Sequence, residues 1–492
     1  MGIIQKQAIS GTIFTFAGVA IGFVTSALIF PRFLSSSEIG LFGILLSYSL
    51  IFGQFATLGT GRINIMLFPQ YKNREKYHYG FFFIVILISI VGLILAFISF
   101  TFLRDIIINN SKESSELFIS YINYLYPLIF FTFLYFLADS FNTALFDALG
   151  GLILKEFVQR ILILLFILPF IFKMISFHSY AQLFVVAVCL PSVILPVILL
   201  RKKEFRIKVV FDNKIRENRK LFIDIGIYGI IIGFTGLIVL NIDRIMVERF
   251  LGLSATGVYT TMAYFATLVS IPSRALAKIS DPIIAQHWKE NDLHNVRENY
   301  YRSSINQFLI GCLILVGIWG NIDNILTILP PEFATGKYVI LFIGLAFLSD
   351  MSTGTSSFIL ANSVYYKYQA YIVLILVVLI VITNYLLIPL WGLPGAALAT
   401  LISKIISNMM RHFLLFKKFN LQPFNSRFLL IIGISLFAYL IGYIIPAKSN
   451  LYLDLILRSS VILILFVLPV IIFRLSPETN QYLLKLKKWI QE

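Results

Sequence analysis

The sequence predicts an all-α polytopic membrane protein, and three features of its composition carry that prediction. Of its 492 residues, 59% are hydrophobic and only 13% are charged, and the mean hydropathy is +0.88. A soluble domain is roughly 45–50% apolar and about 25% charged. Fourteen membrane-crossing helices of about 20 residues would use roughly 280 residues, close to the observed apolar share. A soluble enzyme is therefore excluded.

A window of apolar residues moved along the sequence predicts fourteen membrane spans. These spans are the elements of the predicted all-α fold. They cover residues 9–30, 39–61, 79–103, 117–140, 152–172, 180–200, 221–242, 254–276, 304–326, 336–360, 369–389, 394–416, 427–446 and 455–474. The first span leads directly into further spans and has no Ala-x-Ala cleavage site, so it is predicted to be a retained helix rather than a signal peptide.

The basic residues predict the orientation and explain the net charge of +16. The loop between spans 6 and 7 alone holds nine of them: Arg201, Lys202, Lys203, Arg206, Lys208, Lys214, Arg216, Arg219 and Lys220. Cytoplasmic loops carry an excess of Lys and Arg. We therefore expect both termini in the cytoplasm, and nucleic-acid binding is not needed to explain the charge.

A short internal repeat predicts two related lobes. RFLSSSEIGLF, Arg32 to Phe42, recurs as RFLGLSATGVY, Arg249 to Tyr259, and each copy joins the first two helices of its half. An offset of six spans gives both copies the same direction through the membrane, as in a parallel repeat. The predicted organisation is an N-lobe at 1–200 (spans 1–6), a basic cytoplasmic linker at 201–220, a C-lobe at 221–416 (spans 7–12), spans 13–14 within 417–474, and a cytoplasmic tail at 475–492.

Three segments resemble a known family. NYLLIPLWGLPGAALATLIS, Asn384 to Ser403, is similar to a signature of polysaccharide exporters in the multidrug/oligosaccharidyl-lipid/polysaccharide (MOP) superfamily. The doubled Arg-Phe-Leu corner and NIDRIMVERFLG, Asn241 to Gly252, resemble the same family. Among its members, the likeness is to O-antigen repeat-unit flippases of the Wzx type, over essentially the whole chain.

The resemblance implies a transport protein rather than an enzyme. The implied substrate is an undecaprenyl-diphosphate-linked oligosaccharide, such as an O-antigen or related surface polysaccharide unit of lipopolysaccharide biosynthesis. It would cross from the inner to the outer leaflet of the bacterial cytoplasmic membrane by alternating access, with membrane lipids and the polysaccharide polymerase machinery as partners. Two alternatives stay open: a multidrug/cation antiporter of the same superfamily, and a membrane-embedded glycosyltransferase or polymerase.

Two charged residues are predicted near mid-membrane, Lys404 in span 12 and Asp350 in span 10. A charge facing lipid costs several kcal/mol, so each should face the protein interior or a partner. Lys404 is a candidate contact for the diphosphate, and Asp350 is a candidate gate or site of H⁺ or Na⁺ coupling. The alternative, which does not exclude the first, is a structural Lys404–Asp350 ion pair. Beyond such a coupling ion, no cofactor or metal is predicted.

A second set of basic residues lies near the inner ends of helices. Arg62, Arg274 and Lys278 occupy near-equivalent positions in the two halves, where a phosphate-bearing head group would enter. Arginine suits phosphate because its planar fork donates two parallel hydrogen bonds. For each residue alone, positive-inside anchoring is the competing interpretation.

Spans 4 and 5 contain secondary candidates, Asp139 and Arg160. Glu156 and Arg160 are four residues apart, a spacing that favours a local salt bridge on one helix face. Asp139 is expected to pair with Arg160 or Lys155. Arg458, near the outer start of span 14, is expected to be an interface anchor, with a lipid-phosphate contact as its alternative.

Overall fold

A computed structural model describes residues 3–73, 75–110, 116–145, 147, 149–202, 205, 207–209, 213–446 and 450–476. Within these residues the chain is helical and contains no strand. It divides into two compact units, which we call unit 1 (Met1–Thr260) and unit 2 (Thr261–Glu492).

The described part of unit 1 contains twelve α-helices and the start of a thirteenth. They are α1 (Ile3–Phe23), α2 (Phe30–Phe33), α3 (Ser36–Ala56), α4 (Thr60–Tyr71), α5 (Phe81–Asn110), α6 (Glu116–Tyr121), α7 (Leu125–Ala144), α8 (Leu149–Leu152), α9 (Gln159–Ile171), α10 (Phe177–Leu200), α11 (Asn213–Glu217), α12 (Arg219–Leu251) and α13 (Leu253–Thr267). π-Helical segments at Val24–Ile29 and Ile153–Val158 join α1 to α2 and α8 to α9.

Among its described residues, unit 2 contains nine further α-helices. They are α14 (Ile271–Lys289), α15 (Leu293–Gly320), α16 (Ile322–Ile328), α17 (Lys337–Ser352), α18 (Ser356–Ala361), α19 (Tyr366–Trp391), α20 (Leu393–Phe419), α21 (Ser426–Ile444) and α22 (Leu451–Ile472). A 3₁₀ turn at Leu268–Ser270 separates α13 from α14.

Twelve helical stretches in the described part of the chain are long and apolar enough to cross a membrane, so the predicted count of fourteen is not confirmed. The two predicted spans outside this set are 152–172 and 254–276. The first is helical, but it carries Lys155, Glu156 and Arg160, and its beginning is π-helical. The second is divided by the 3₁₀ turn and continues as the polar helix α14. Many apolar helices nevertheless make the chain a multi-pass membrane protein.

The two copies of the internal repeat touch each other within unit 1. Each begins a helix, and their equivalent glycines, Gly40 of α3 and Gly257 of α13, face one another. A Cβ atom on Gly257 would lie 1.8 Å from the Ser36 carbonyl oxygen, and one on Gly40 would lie 2.0 Å from the Leu253 carbonyl oxygen. Beside them, the Ser36 and Ser254 hydroxyls are 2.7 Å apart. Only glycine permits this approach of two helix backbones.

Replacing Gly257 by Ala is expected to destabilise the protein by about 1–3 kcal/mol, because the new methyl group must displace backbone atoms. The control is Gly236→Ala in α12, where an added Cβ meets no atom within 4 Å. Thermal loss of the monodisperse peak in size-exclusion chromatography measures both variants. Equal stability of the two variants would contradict the close approach.

Helix α12 packs on α3 and α4 through glycines, which places it in unit 1. A Cβ atom on Gly229 would lie 2.7 Å from the Gly59 carbonyl oxygen and 2.8 Å from the Arg62 Cβ atom. Gly59, with φ +74°, forms the break between α3 and α4. The predicted domain boundaries, with a linker at 201–220 between two six-helix lobes, stay a prediction.

Candidate functional site

Unit 2 contains a polar network around the two predicted mid-membrane charges, and Lys404 and Asp350 are in direct contact. The Lys404 ammonium of α20 donates to the Asp350 carboxylate of α17, with 2.5 Å between Nζ and Oδ2. The same ammonium lies 4.5 Å from the centre of the Phe347 ring, a cation–π distance. The ion pair that the sequence offered as one of two interpretations is thus present in the structure.

The two partners differ in exposure, and this difference limits what each can do. The Lys404 side chain is 12% exposed, whereas the Asp350 side chain is 43% exposed. The ammonium therefore depends on its partner for solvation. The carboxylate is the more accessible group of the pair.

The network continues along one face of α20. The Asn408 amide donates to Asp350 Oδ1 at 2.9 Å and to the Ser349 hydroxyl at 3.0 Å. Arg411 then donates from Nη1 to Asn408 Oδ1 at 2.8 Å, and from Nε to Gln369 Oε1 of α19 at 3.1 Å. Two cations and one carboxylate leave the network with one positive charge in excess.

Sequence reasoning missed Asn408, Arg411 and Gln369, although a signal for two of them was present. Lys404, Asn408 and Arg411 are spaced i, i+4 and i+7, which places them on one helix face. Gln369 carries no comparable signal, because its contact depends on how α19 packs against α20.

A helix break lies next to Asp350. The predicted span at 336–360 is two helices, α17 and α18, separated at Thr353–Thr355, where Gly354 has φ +50°. A Cβ atom at Gly354 would lie 2.6 Å from the Ser303 and Ser304 hydroxyl oxygens of α15. Asp350 is thus in the last turn of α17, and interrupted membrane helices commonly form ion and substrate sites.

The predicted inner basic residues lie on helices that begin after breaks. Arg62 is exposed in the first turn of α4, following the left-handed residues Leu58 and Gly59. Arg274 is exposed in the first turn of α14, following the 3₁₀ turn. Lys278 lies in α14, and its side chain is outside the described part of the structure. Arg62 belongs to unit 1 and Arg274 to unit 2, and the role of these basic residues in binding stays a prediction.

The secondary candidate Asp139 lies near Lys155 in unit 1. The Asp139 carboxylate lies against Gly151, where an added Cβ would be 1.8 Å from Oδ1, and it interacts electrostatically with Lys155. The Lys155 ammonium lies 4.5 Å from the centre of the Tyr135 ring. Of the two predicted partners of Asp139, Lys155 is therefore the one that interacts with it.

The predicted Glu156–Arg160 salt bridge is absent, although the structure describes both residues. The π-helical segment Ile153–Val158 is the physical reason, because its wider turn moves residues four apart off a common face. Arg160 packs instead on α1, where a Cβ atom at Gly22 would lie 3.2 Å from its Cδ.

Arg458 is buried rather than exposed to the membrane interface. It pairs with Asp454 at 3.3 Å and donates to the carbonyl oxygens of Gly442 at 2.8 Å and Ile445 at 3.1 Å, at the end of α21. Asn324 of α16 donates to the same carboxylate at 2.6 Å. The expected interface-anchor role is wrong, because the guanidinium is used to join α21 and α22.

The fold matches solved transporter structures. The structure is similar to the inward closed conformation of the lipid II flippase MurJ, with a TM-score of 0.75 and 15% sequence identity over 95% of this chain and 99% of that one. An inward-facing multidrug-resistance transporter of the MATE family, in the MOP superfamily, gives a TM-score of 0.61 and 14% identity over 86% and 96%. The chain has a MOP-like fold.

Two proteins are similar to this chain in sequence. An uncharacterized membrane protein of Methanocaldococcus jannaschii is 25% identical over 467 residues, which are 89% of this chain and 87% of that protein. The capsular polysaccharide biosynthesis protein CapF of Staphylococcus aureus is 25% identical over 239 residues, 46% of this chain and 58% of that protein. No family model matches the sequence.

Proposed function

We propose that the chain is a flippase that moves undecaprenyl-diphosphate-linked oligosaccharide from the inner to the outer leaflet of the cytoplasmic membrane by alternating access. The observation that carries this proposal is the network of Lys404, Asp350, Asn408 and Arg411, whose positive excess lies among helices of unit 2 that are long and apolar enough to cross a membrane. A diphosphate is anionic and cannot enter hydrocarbon without such a partner. The fold similarity to a lipid II flippase supports the proposed flippase function, and so does the sequence relative in capsular polysaccharide biosynthesis.

In this proposal the Lys404–Asp350 pair acts as a gate. The ammonium leaves the carboxylate and binds the diphosphate, while Asp350 is solvated through its exposed side or takes up H⁺ or Na⁺. An Arg or Lys bound to phosphate makes charge-assisted hydrogen bonds, which are roughly twice as strong as neutral ones. Arg62, Arg274 and Lys278 are proposed to receive the head group at the inner side.

Proteoliposomes test the proposed function directly. A polyprenyl-diphosphate oligosaccharide with a fluorophore on its sugar is placed in both leaflets, and a membrane-impermeant quencher is added outside. Active vesicles should lose nearly all fluorescence, and empty vesicles about half of it. We expect Lys404→Ala to slow the loss about tenfold or more, the equivalent of 1.4 kcal/mol of lost interaction. Lys417→Ala, an exposed lysine of the same helix, is the control.

A different result in the same vesicles would contradict the proposed flippase activity. Vesicles that retain half of the fluorescence, but exchange a cationic dye for protons, would replace the flippase with the cation antiporter. The MATE-family similarity makes that antiporter the specific competitor.

The proposed orientation places both termini and residues 201–220 in the cytoplasm. A cysteine at Lys208 should therefore react with an impermeant maleimide only after cells are opened, whereas one at Asp323 should react in intact cells. Both positions are exposed in the structure, and the two native cysteines, Cys189 and Cys312, are buried. Labelling of residue 208 in intact cells would reverse the topology.

A further inference from the structure

Asn408 lies between the charged groups of the network and forms hydrogen bonds through both ends of its amide. Its Nδ2 donates to Asp350 Oδ1 at 2.9 Å and to the Ser349 hydroxyl at 3.0 Å, and its Oδ1 accepts from Arg411 Nη1 at 2.8 Å. The residue is only 4% exposed. Water therefore has little access to the amide, and a hydrogen bond lost here is not readily replaced.

These contacts favour a single orientation of the amide. If the amide were flipped, its oxygen would face the Asp350 carboxylate and its NH₂ group would face the Arg411 guanidinium, so acceptor would meet acceptor and donor would meet donor. The guanidinium is itself held from α19, because its Nε donates to Gln369 Oε1 at 3.1 Å. Arg411 thus fixes the direction in which Asn408 donates.

The carboxylate that accepts this hydrogen bond lies at a helix end. Asp350 is in the last turn of α17, just before the break at Thr353–Thr355. Its side chain is 43% exposed, so solvent competes for its oxygens. Oδ2 accepts from Lys404 at 2.5 Å, and Oδ1 accepts from Asn408. When the ammonium leaves, the amide still holds the carboxylate in the orientation that can receive the ammonium again.

We propose that Asn408 is a positioning residue of the Lys404–Asp350 gate and that Arg411 acts through it. The amide keeps the Asp350 carboxylate directed at the place of the ammonium, so that the pair re-forms after each opening. A hydrogen bond to an ionised carboxylate is roughly twice as strong as one between neutral groups, which suits it to this task. The inference rests on the proposed function, because it assigns Asn408 a role in the same gate.

Asn408→Asp tests this role by changing a single group. The variant keeps the size of the side chain and an acceptor for Arg411, but it turns an oxygen toward Asp350, and two carboxylates in contact repel unless they share a proton. In the proteoliposome assay we expect transport at about pH 8 to be about tenfold or more below that of the unchanged protein, and at about pH 5.5 to be within about threefold of it. Asn408→Ala removes the donor without adding a charge, so its loss should be similar at both pH values.

Asn321→Asp is the matched control. Asn321 in unit 2 is also 4% exposed, and its amide donates to the Gly317 carbonyl and the Ser459 hydroxyl rather than to the network. Its transport relative to the unchanged protein should not depend on pH. If the ratio for Asn408→Asp is equally independent of pH, Asn408 has only a structural role and the proposal is overturned.

Combining Arg411→Leu with Asn408→Ala tests whether Arg411 acts through Asn408. Residues of one hydrogen-bonded network give effects that do not add. We therefore expect the double variant to transport as fast as Asn408→Ala alone. Losses that multiply would give Arg411 a separate role, such as a direct contact with the diphosphate, and would overturn this part of the proposal.

Thermal unfolding of the full chain in detergent separates this inference from the proposed function. The midpoint of Asn408→Asp should lie further below that of the unchanged protein at about pH 8 than at about pH 5.5, by about 2 °C or more. This difference needs no transport substrate. Failure of the unchanged protein in vesicles would refute the flippase and the gate with it, whereas equal midpoint differences at both pH values would refute the contact between Asn408 and Asp350.

Discussion

Arg458→Ala is expected to destabilise unit 2 by about 3–5 kcal/mol, the usual effect of removing one partner from a buried ion pair. The side chains of Arg458 and Asp454 are only 11% and 2% exposed. Truncation leaves the Asp454 carboxylate buried without its guanidinium partner, although the Asn324 amide still donates to it. It also removes the donors that satisfy the Gly442 and Ile445 carbonyls at the end of α21.

The chain contains a matched control for this variant. Glu298 and Arg302 have the same four-residue spacing and are 2.5 Å apart, but their side chains are 39% and 42% exposed, for Arg302 and Glu298 respectively. Exposed pairs of this kind contribute about 0.3–0.5 kcal/mol. Tryptophan fluorescence during thermal unfolding compares Arg458→Ala with Arg302→Ala. Similar midpoints for the two variants would contradict the structural role assigned to Arg458.

Exchanging the charges of Lys404 and Asp350 separates the two interpretations of that pair. In the Asp350→Lys/Lys404→Asp variant a carboxylate and an ammonium still meet, so stability should largely return relative to the single changes. Transport should not return if Lys404 itself contacts the diphosphate, because the ammonium is now on α17. We expect a loss of about tenfold or more in the proteoliposome assay despite a thermal midpoint close to that of the unchanged protein.

The single variants should be unequal in stability. Asp350→Ala leaves the largely buried Lys404 ammonium without its partner and should cost about 2–3 kcal/mol, somewhat less than a fully buried pair. Lys404→Met leaves a half-exposed carboxylate that still accepts from Asn408, and about 1 kcal/mol is expected. Full transport by the exchanged variant would make the pair structural and remove Lys404 from the substrate site.

The membrane class, the repeat and the Lys404–Asp350 contact could be inferred from the sequence because each has a strong signal in the residues themselves. Charges in an apolar span must find partners, and only a few are available. The helix breaks at Thr57–Gly59, Leu268–Ser270 and Thr353–Thr355 were not predicted. Hydropathy averages over a window and does not register a turn whose residues are as apolar or small as their neighbours.

The errors over Arg458 and Glu156–Arg160 have a different physical origin. Arg458 lies in the second turn of an apolar helix, where an interface position and a buried pair have the same sequence pattern. Its burial depends on the return of α21 alongside α22. The Glu156–Arg160 spacing supports a bond only in regular α-helix, and packing of the π-helical segment against α1 and its glycines changed that geometry.

The meeting of Gly40 with Gly257 has a consequence for the history of the chain. If the two halves descend from one ancestral segment, most positions were free to diverge separately, since each copy acquired its own neighbours. At this contact the two copies pack against each other. A residue larger than glycine at either position would therefore clash with the backbone of the other copy. Sequence similarity between the two copies therefore persists where they are in contact and constrain each other.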